Sequence, residues 1–374
     1  MTVAVSGESI TFNDSTVQNT APKVGMVNRL INGAMVIDQR DAGAAVTPAS
    51  SAYTLDRWSV VISVGSKFSV QQNAGSLSAA NRPVGFTNYL GATSLAATAV
   101  GASDYYQINQ SIEGFNFADL NWGTANAQPV TLSFWVRSSL TGAFGGALLN
   151  AAENRSYPYS YTISAANTWE QKTVTIAGDT TGTWVGATNG TGVQVRFSLG
   201  MGSTYTTTAN AWAAGVFGAP TGSTNVVSTN GATFYITGVQ LEKGSTATDF
   251  DYQQYGTELA LCQRYFYQWS AANGASAIVG SGQAFGASAA YIVMKTPVTM
   301  RTTPTTFSFV GTFGSNNAAG GGLAVTAISL VGGWANENML TLESSVSTGW
   351  VAGNAVLMSA GSDATCRLNF SAEL

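Results

Sequence analysis

The clearest signal in the chain is an alternation of apolar and polar positions with a period of two. Leu132, Phe134 and Val136 alternate with Ser133, Trp135 and Arg137, and Val174 and Ile176 alternate with Thr173 and Thr175. Val193, Val195, Phe197 and Leu199 face one way while Gln194, Arg196 and Ser198 face the other, the pattern of a half-buried antiparallel strand. Helical spacing is rare. It predicts one helix over residues 256–268, where Leu259, Leu261 or Cys262, and Tyr265 recur three to four apart behind Thr257 as N-cap. Further strands are expected over residues 290–295, 305–310, 324–330, 355–359 and 366–372, with residues 311–322 as a flexible loop. At the other end, residues 3–21 read as a strand, a turn at Asn13-Asp14-Ser15 and a second strand, closed off by Pro22. A two-stranded piece of this size is marginal in water, so it must pack against something larger.

Composition sharpens this picture. A chain of 374 residues exceeds what one core usually organises. Hydrophobic residues make up 45% of it and charged residues only 9%, against a usual share of about a quarter. Residues 197–241 contain no charged side chain. Neutral polar residues and 42 glycines must therefore cover the surface and form the turns. A net charge of −4 without a basic cluster argues against nucleic acid as a partner. Residues 1–12 carry no basic run and no later stretch has membrane-spanning length, so neither a signal peptide nor membrane insertion is expected. Cys262 and Cys366 read as small buried hydrophobes. The absence of histidine excludes Ser-His-Asp and Cys-His triads and His-ligated zinc within one subunit.

Four segments resemble phage fibre and virion-surface structural proteins whose jelly-roll body is related to carbohydrate-binding modules. Ile10-Thr-Phe-Asn-Asp-Ser-Thr-Val-Gln-Asn-Thr is similar to an I-T-F-x-D-G-T-V-Q-x-T arm, with Ser15 where glycine is usual. Asn28-Arg-Leu-Ile-Asn-Gly-Ala-Met-Val-Ile-Asp-Gln-Arg resembles the first strand of such jelly rolls, and Tyr53-Thr-Leu-Asp-Arg-Trp the loop returning to it. Phe234-Tyr-Ile-Thr-Gly-Val-Gln-Leu-Glu-Lys-Gly with Ala247-Thr-Asp-Phe-Asp resembles their closing strand and exit. Glu258-Leu-Ala-Leu-Cys-Gln-Arg-Tyr-Phe, Thr296-Pro-Val-Thr-Met-Arg-Thr-Thr-Pro-Thr and Leu368-Asn-Phe-Ser-Ala-Glu-Leu resemble their C-terminal domain. The resemblance implies an all-β protein with a docking arm over residues 1–25, a jelly-roll β-sandwich over 26–252, and a smaller C-terminal β-domain with a short leading helix over 253–374. It implies a structural role in a tailed-phage virion as a fibre, spike or head-decoration subunit. It also implies a homotrimer, attached to other virion proteins through Ile10, Phe12 and Val17 of the arm.

Candidate chemistry follows from the same segments. Jelly rolls that bind sugars often hold calcium between their first and last strands, and Asp38, Asp56, Glu242, Asp249 and Asp251 flank those strands here. The competing and preferred reading makes Asp56 and Arg57 an exposed ion pair and Glu242-Lys243 a solvated turn, with no metal and no cofactor. A host surface glycan would need exposed aromatic faces. Tyr157, Tyr159 and Tyr161 alternate on one strand face, while Trp184, Tyr205 and Trp212 fall in Gly/Thr/Asn-rich loops. Sheet packing is the competing use of these rings. Glycoside hydrolysis needs two carboxylates across a cleft. Asp249 and Asp251 share a strand face at best, and Glu153 and Glu170 have no catalytic context, so no enzyme is expected.

Overall fold

The structure, a computed structural model, describes residues 26–271, 277–317, 322–361 and 363–374, with three short strands of the preceding segment. Those three are β1 (Ala4–Ser6), β2 (Ser9–Thr11) and β3 (Val17–Gln18), which form an antiparallel sheet of their own. Ile10 pairs with Val5 and Gln18, and Val17 pairs with Thr11; Phe12 and the turn expected at Asn13–Ser15 lie outside the described residues.

The sandwich opens with β4 (Ala52–Leu55), β5 (Trp58–Ile62), β6 (Phe68–Gln72), β7 (Leu90–Ser94), β8 (Tyr105–Glu113) and β9 (Val130–Ser138). It continues through β10 (Gly142–Asn150), β11 (Arg155–Ile163), β12 (Glu170–Ile176) and β13 (Thr191–Met201). Three two-residue strands follow, β14 (Thr206–Thr207), β15 (Ala213–Ala214) and β16 (Ala219–Pro220), before the long β17 (Thr233–Lys243). One sheet runs β15-β11-β10-β13-β8-β5-β4 and the other β12-β9-β17-β7-β6. The predicted alternation holds on β9 and β13. Leu132, Phe134, Val136, Val193, Val195, Phe197 and Leu199 are all fully buried in one core. Phe134 of the smaller sheet meets Phe197 and Tyr161 of the larger one edge-on, each at 5.0 Å between centroids, so the sheets interlock through T-shaped aromatic contacts.

Two expectations at the start of the sandwich are corrected. Residues 28–39 form turns and extended coil rather than a first strand, because Asn32, at φ 58°, turns the chain and takes over its hydrogen bonding. The Asn32 amide donates to the carbonyls of Ile37 and Asp56 and accepts from the Ile37 amide, at 2.8–3.0 Å. The segment still lies beside β17: the Arg29 amide donates to the Leu241 carbonyl and the Val239 amide to the Gly33 carbonyl. A Cβ on Gly33 would stand 2.2 Å from the Val239 carbonyl oxygen, so only glycine allows this approach. The segment around Tyr53, expected as a loop, is the β4–β5 hairpin, turned at Asp56-Arg57 with Arg57 at φ 68°.

The helix α1 (Tyr255–Gln263) is shorter than expected and Thr257 sits inside it, with Gln254 at the N-cap position. It stops early because Tyr265 is buried and the aromatic run Phe266-Tyr-Gln-Trp enters a strand. That strand is β18 (Phe266–Ser270), followed by β19 (Ile278–Ala284), β20 (Ala289–Lys295), β21 (Thr306–Val310) and β22 (Gly314–Asn317). Next come β23 (Gly322–Ala324), β24 (Ala327–Leu330), β25 (Met339–Ser345), β26 (Ala355–Ser359) and β27 (Arg367–Ser371). β22 thus occupies part of the expected 311–322 loop, and the expected 324–330 strand is broken into β23 and β24. These strands make a sheet β18-β27-β21 and a sheet β23-β22-β26-β19-β20-β25-β24 around a second core of Ile292, Leu340, Leu342, Met358, Leu368 and Phe370. Cys262 and Cys366 are buried free thiols. A small third cluster, Ile31, Ile37, Cys262 and Tyr265, joins the sandwich to the helix.

Phe134→Ala should lower stability by about 3–5 kcal/mol through cavity formation. Ser133→Ala, on the opposite face, should cost about 0.5 kcal/mol. Urea unfolding of the two variants checks this; equal losses would contradict the strand phase.

Candidate functional site

The polar half of the alternation builds a groove on the outer face of the larger sheet. Asn109 of β8 stands between Ser59 of β5 and Arg196 of β13, and Gln107 stands between Val61 and Ser198. Ser111 is paired with Gln194 in the next row. Two adjoining cavities of about 190 and 350 Å³ lie over these rows and share Val61, Glu153 and Arg196 as lining residues. The excursion between β13 and β17 covers one end: Ser156 Oγ donates to the Gly215 carbonyl, and Gln107 Nε2 to that of Gly218 at 3.3 Å. Tyr53 closes the other end by donating from its hydroxyl to the Leu374 carbonyl at 2.9 Å.

Arg196 is the centre of this floor. Its guanidinium donates to Glu153 Oε1, to Gln194 Oε1 and, at 3.3 Å, to Gln107 Oε1. Burial works against its charge and lowers its pKa, and the Glu153 carboxylate opposes that. Asn109 is 4% exposed and its Nδ2 donates to Ser59 Oγ at 3.2 Å. Its Oδ1 has no hydrogen-bond partner although it is buried. An unpaired acceptor of this kind costs roughly 1–3 kcal/mol. Tyr105 and Tyr205 meet edge-on at 5.5 Å on the wall of the smaller cavity. The result is an acceptor- and donor-rich slot with one internally neutralised ion pair and an aromatic rim, suited to a neutral ligand rich in hydroxyls.

The sequence-predicted sugar platforms are distributed differently. Tyr157, Tyr159 and Tyr161 do share one face of β11, but that face is the core, and Tyr159 donates its hydroxyl to the Arg196 carbonyl at 2.8 Å. Trp184 and Trp212 are half-buried and close one end of the sandwich with Trp122, at 4.7–5.5 Å between centroids. Of the six candidates, Tyr205 lines the groove. Gln107, Asn109, Glu153 and Arg196 were not singled out as binding residues; the available signal was the polar alternation itself.

Of the calcium candidates, Asp38, Glu242 and Asp251 have their carboxylates engaged by nearby groups. Asp38 accepts from the amides of Asp41 and Gly43, and Asp251 from the amide of Asn28. Glu242, expected in a solvated turn, is fully buried and accepts from Thr248 through both its amide and its hydroxyl. Asp249 contributes its carbonyl, which accepts from Gln240. Among the described residues no group of three or more His, Cys, Asp or Glu side chains is placed to hold a metal ion. The expected exposed Asp56–Arg57 pair is also corrected. Both residues are 1% exposed, Arg57 pairs with Glu373, and Asp56 accepts from the amide and side chain of Gln39. Glu153 gains its context from Arg196, and Glu170 from Lys172 at 2.6 Å.

No family model and no curated protein matches the chain. Among solved structures, it is similar to the enzymatically active domain of bacteriophage CBA120 tailspike protein 4, at 12% identity and a TM-score of 0.31, over 58% of this chain and 22% of that one. It therefore spans under a quarter of that protein's length. It is also similar to a carbohydrate-binding module, CBM4, at 16% identity and a TM-score of 0.28, over 57% and 98% of the two chains. A third is the family 11 carbohydrate-binding module of the cellulosomal cellulase Lic26A-Cel5E of Clostridium thermocellum, at 11% identity and 0.27, over 53% and 98%.

Burial pushes the Asp56 carboxyl up to about 7, against the pull of Arg40 and Gln39. The unfolded chain releases that proton near pH ~4, so the folded state binds more protons between there and about 7. Stability should therefore fall as pH rises through that window and level off above it. Asp56→Asn should flatten most of the fall, with a remainder from Asp41, which burial raises to about 6. Thermal melts between pH 4.5 and 8 check this; a wild-type melting temperature that rises across the window would contradict it.

Proposed function

We propose that this chain is a virion-surface structural subunit of a tailed phage, displaying a sandwich whose outer groove holds a saccharide of the host surface. The observation that carries the saccharide reading is the groove floor: the polar side chains of Gln107, Asn109, Gln194 and Arg196 side by side. Hydroxyl groups match that floor because each both donates and accepts. The virion reading rests on the likeness of the arm and the three further segments to phage structural proteins. The reading is one of binding without turnover, because Glu153, the carboxylate in the groove, is committed to Arg196 as its ion-pair partner. Homotrimeric assembly, attachment through the arm and localisation to the virion belong to the same proposal. Many copies on one particle would let weak contacts add by avidity.

The purified chain should bind members of a defined glycan array without releasing reducing ends. Asn109→Ala and Gln107→Ala should each weaken that binding by about tenfold, or ~1.4 kcal/mol, at a temperature where both variants remain folded. No array binding, or binding indifferent to both changes, would overturn the groove reading. For assembly, deletion of residues 1–21 should leave the melting temperature nearly unchanged and prevent incorporation into particles. Normal incorporation of the truncated chain would remove the arm from the docking role.

A further inference from the structure

The C-terminal body carries a second arrangement of rings and polar groups, far from the sandwich groove in sequence and on another sheet. On β20 the side chain of Tyr291 alternates outward between the buried Ala290 and Ile292. It is directly opposite Gln283 of β19 on one side and Glu343 of β25 on the other. Opposed side chains of this kind have Cβ atoms about 5 Å apart, so the three form one outward row. Phe285 stacks on Tyr291 at 4.3 Å with 22° between planes, and Trp334 lies against it at 4.5 Å and 60°. Trp334 is 61% exposed and Phe285 49%, so two of these large rings offer much of their surface to solvent.

The polar members of the row are oriented for hydrogen bonding outward. Gln283 Nε2 donates to the Gly353 carbonyl at 2.9 Å, which fixes its amide and leaves Oε1 as an acceptor. Glu343 is half-buried, and among the described residues its carboxylate has neither an ion pair nor a hydrogen bond. Trp334 is carried by a short turn that is itself pinned: the Thr341 hydroxyl donates to the Trp334 carbonyl at 2.9 Å, and the Trp334 amide to the Val331 carbonyl. The rings are therefore held in place before any ligand arrives, which lowers the ordering cost of binding.

We propose that Trp334, Tyr291, Glu343 and Gln283 form a second saccharide-binding platform, one that takes an uncharged pyranose. The apolar C–H face of the sugar stacks on the Trp334 indole, and its hydroxyls donate to the Glu343 carboxylate and to Gln283 Oε1. The nearest cation along the strand, Lys295, is four residues away, or about 13 Å, so Glu343 disfavours an acidic sugar. This site is independent of the sandwich groove. With both occupied, one chain would hold a glycan at two points.

The test uses the full chain with methyl β-glucopyranoside, methyl β-galactopyranoside and methyl N-acetyl-β-glucosaminide, and methyl β-glucuronide as the charged comparison. Saturation-transfer NMR and tryptophan fluorescence should report millimolar binding of at least one neutral glycoside and weaker binding of the glucuronide. Trp334→Ala should weaken it about tenfold or more. Glu343→Gln should retain the fold and narrow the discrimination against the glucuronide. Asn109→Ala, in the groove, should leave this signal in place. The platform is overturned if no neutral glycoside binds, if Trp334→Ala has no effect, or if Asn109→Ala alone removes all binding. It is equally overturned if the wild type self-associates in sedimentation, Trp334→Ala abolishes that association and no glycoside binds, which would make the face a contact between copies.

Discussion

The arrangement of the whole molecule depends on how one buried charge is satisfied. Arg57 sits at the tip of the β4–β5 hairpin with its side chain 1% exposed. Burial works against its charge, and Glu373 more than restores it. The partners come from every part of the fold: the Glu373 carboxylate after the last strand, the Ser111 carbonyl on β8, and the face of Tyr265, 3.6 Å away, at the end of the helix. Glu373 also takes Arg40, whose guanidinium lies 3.8 Å over Phe266. A few ångströms away Glu113 accepts from both Arg264 and the Tyr265 hydroxyl. Such a network is a weak source of net stability, since apolar residues of equal volume can do as well, but removing one member leaves a charge stranded. Its effect is geometric: the two hydrophobic cores can meet in only one way.

That constraint also makes the groove. Leu374, which closes one end under Tyr53, is in place because Glu373 beside it is committed to Arg57 and Arg40. The other end is closed by an excursion whose own strands are two residues long and which is held by side chains of the sheet it covers. A polar sheet face that would otherwise be flat and wet becomes a slot. Its floor is dry enough for an unpaired acceptor to matter.

These relations explain what the amino-acid pattern could reveal. Strands β9 and β13 were legible because each has one apolar and one polar face, and burial of the apolar face is decided locally. The tyrosines of β11 were ambiguous for the same reason: period two says that they share a face, not which face. Asn32 broke the expected first strand through side-chain hydrogen bonds that no hydrophobic periodicity encodes. Arg57 looked like a surface charge because its partner Glu373 is remote in sequence, and Asp56 and Glu242 did because their partners are neutral amide and hydroxyl groups that carry no charge pattern. Of the groove residues, Gln194 and Arg196 were visible as outward polar positions on β13. Their enclosure was not, since it is imposed by chain segments that pack from far along the sequence.

Arg29, Arg40, Arg57, Arg155, Arg196 and Arg264, six of the 15 basic residues, are held in ion pairs. With only 9% of the chain charged, the exterior must be hydrated chiefly by hydroxyls and amides. Dissolved ions then have few exposed fields to screen, so association with another surface should vary little between fresh water and brine. It should also lack long-range attraction, and first contact would depend on diffusion and collision geometry.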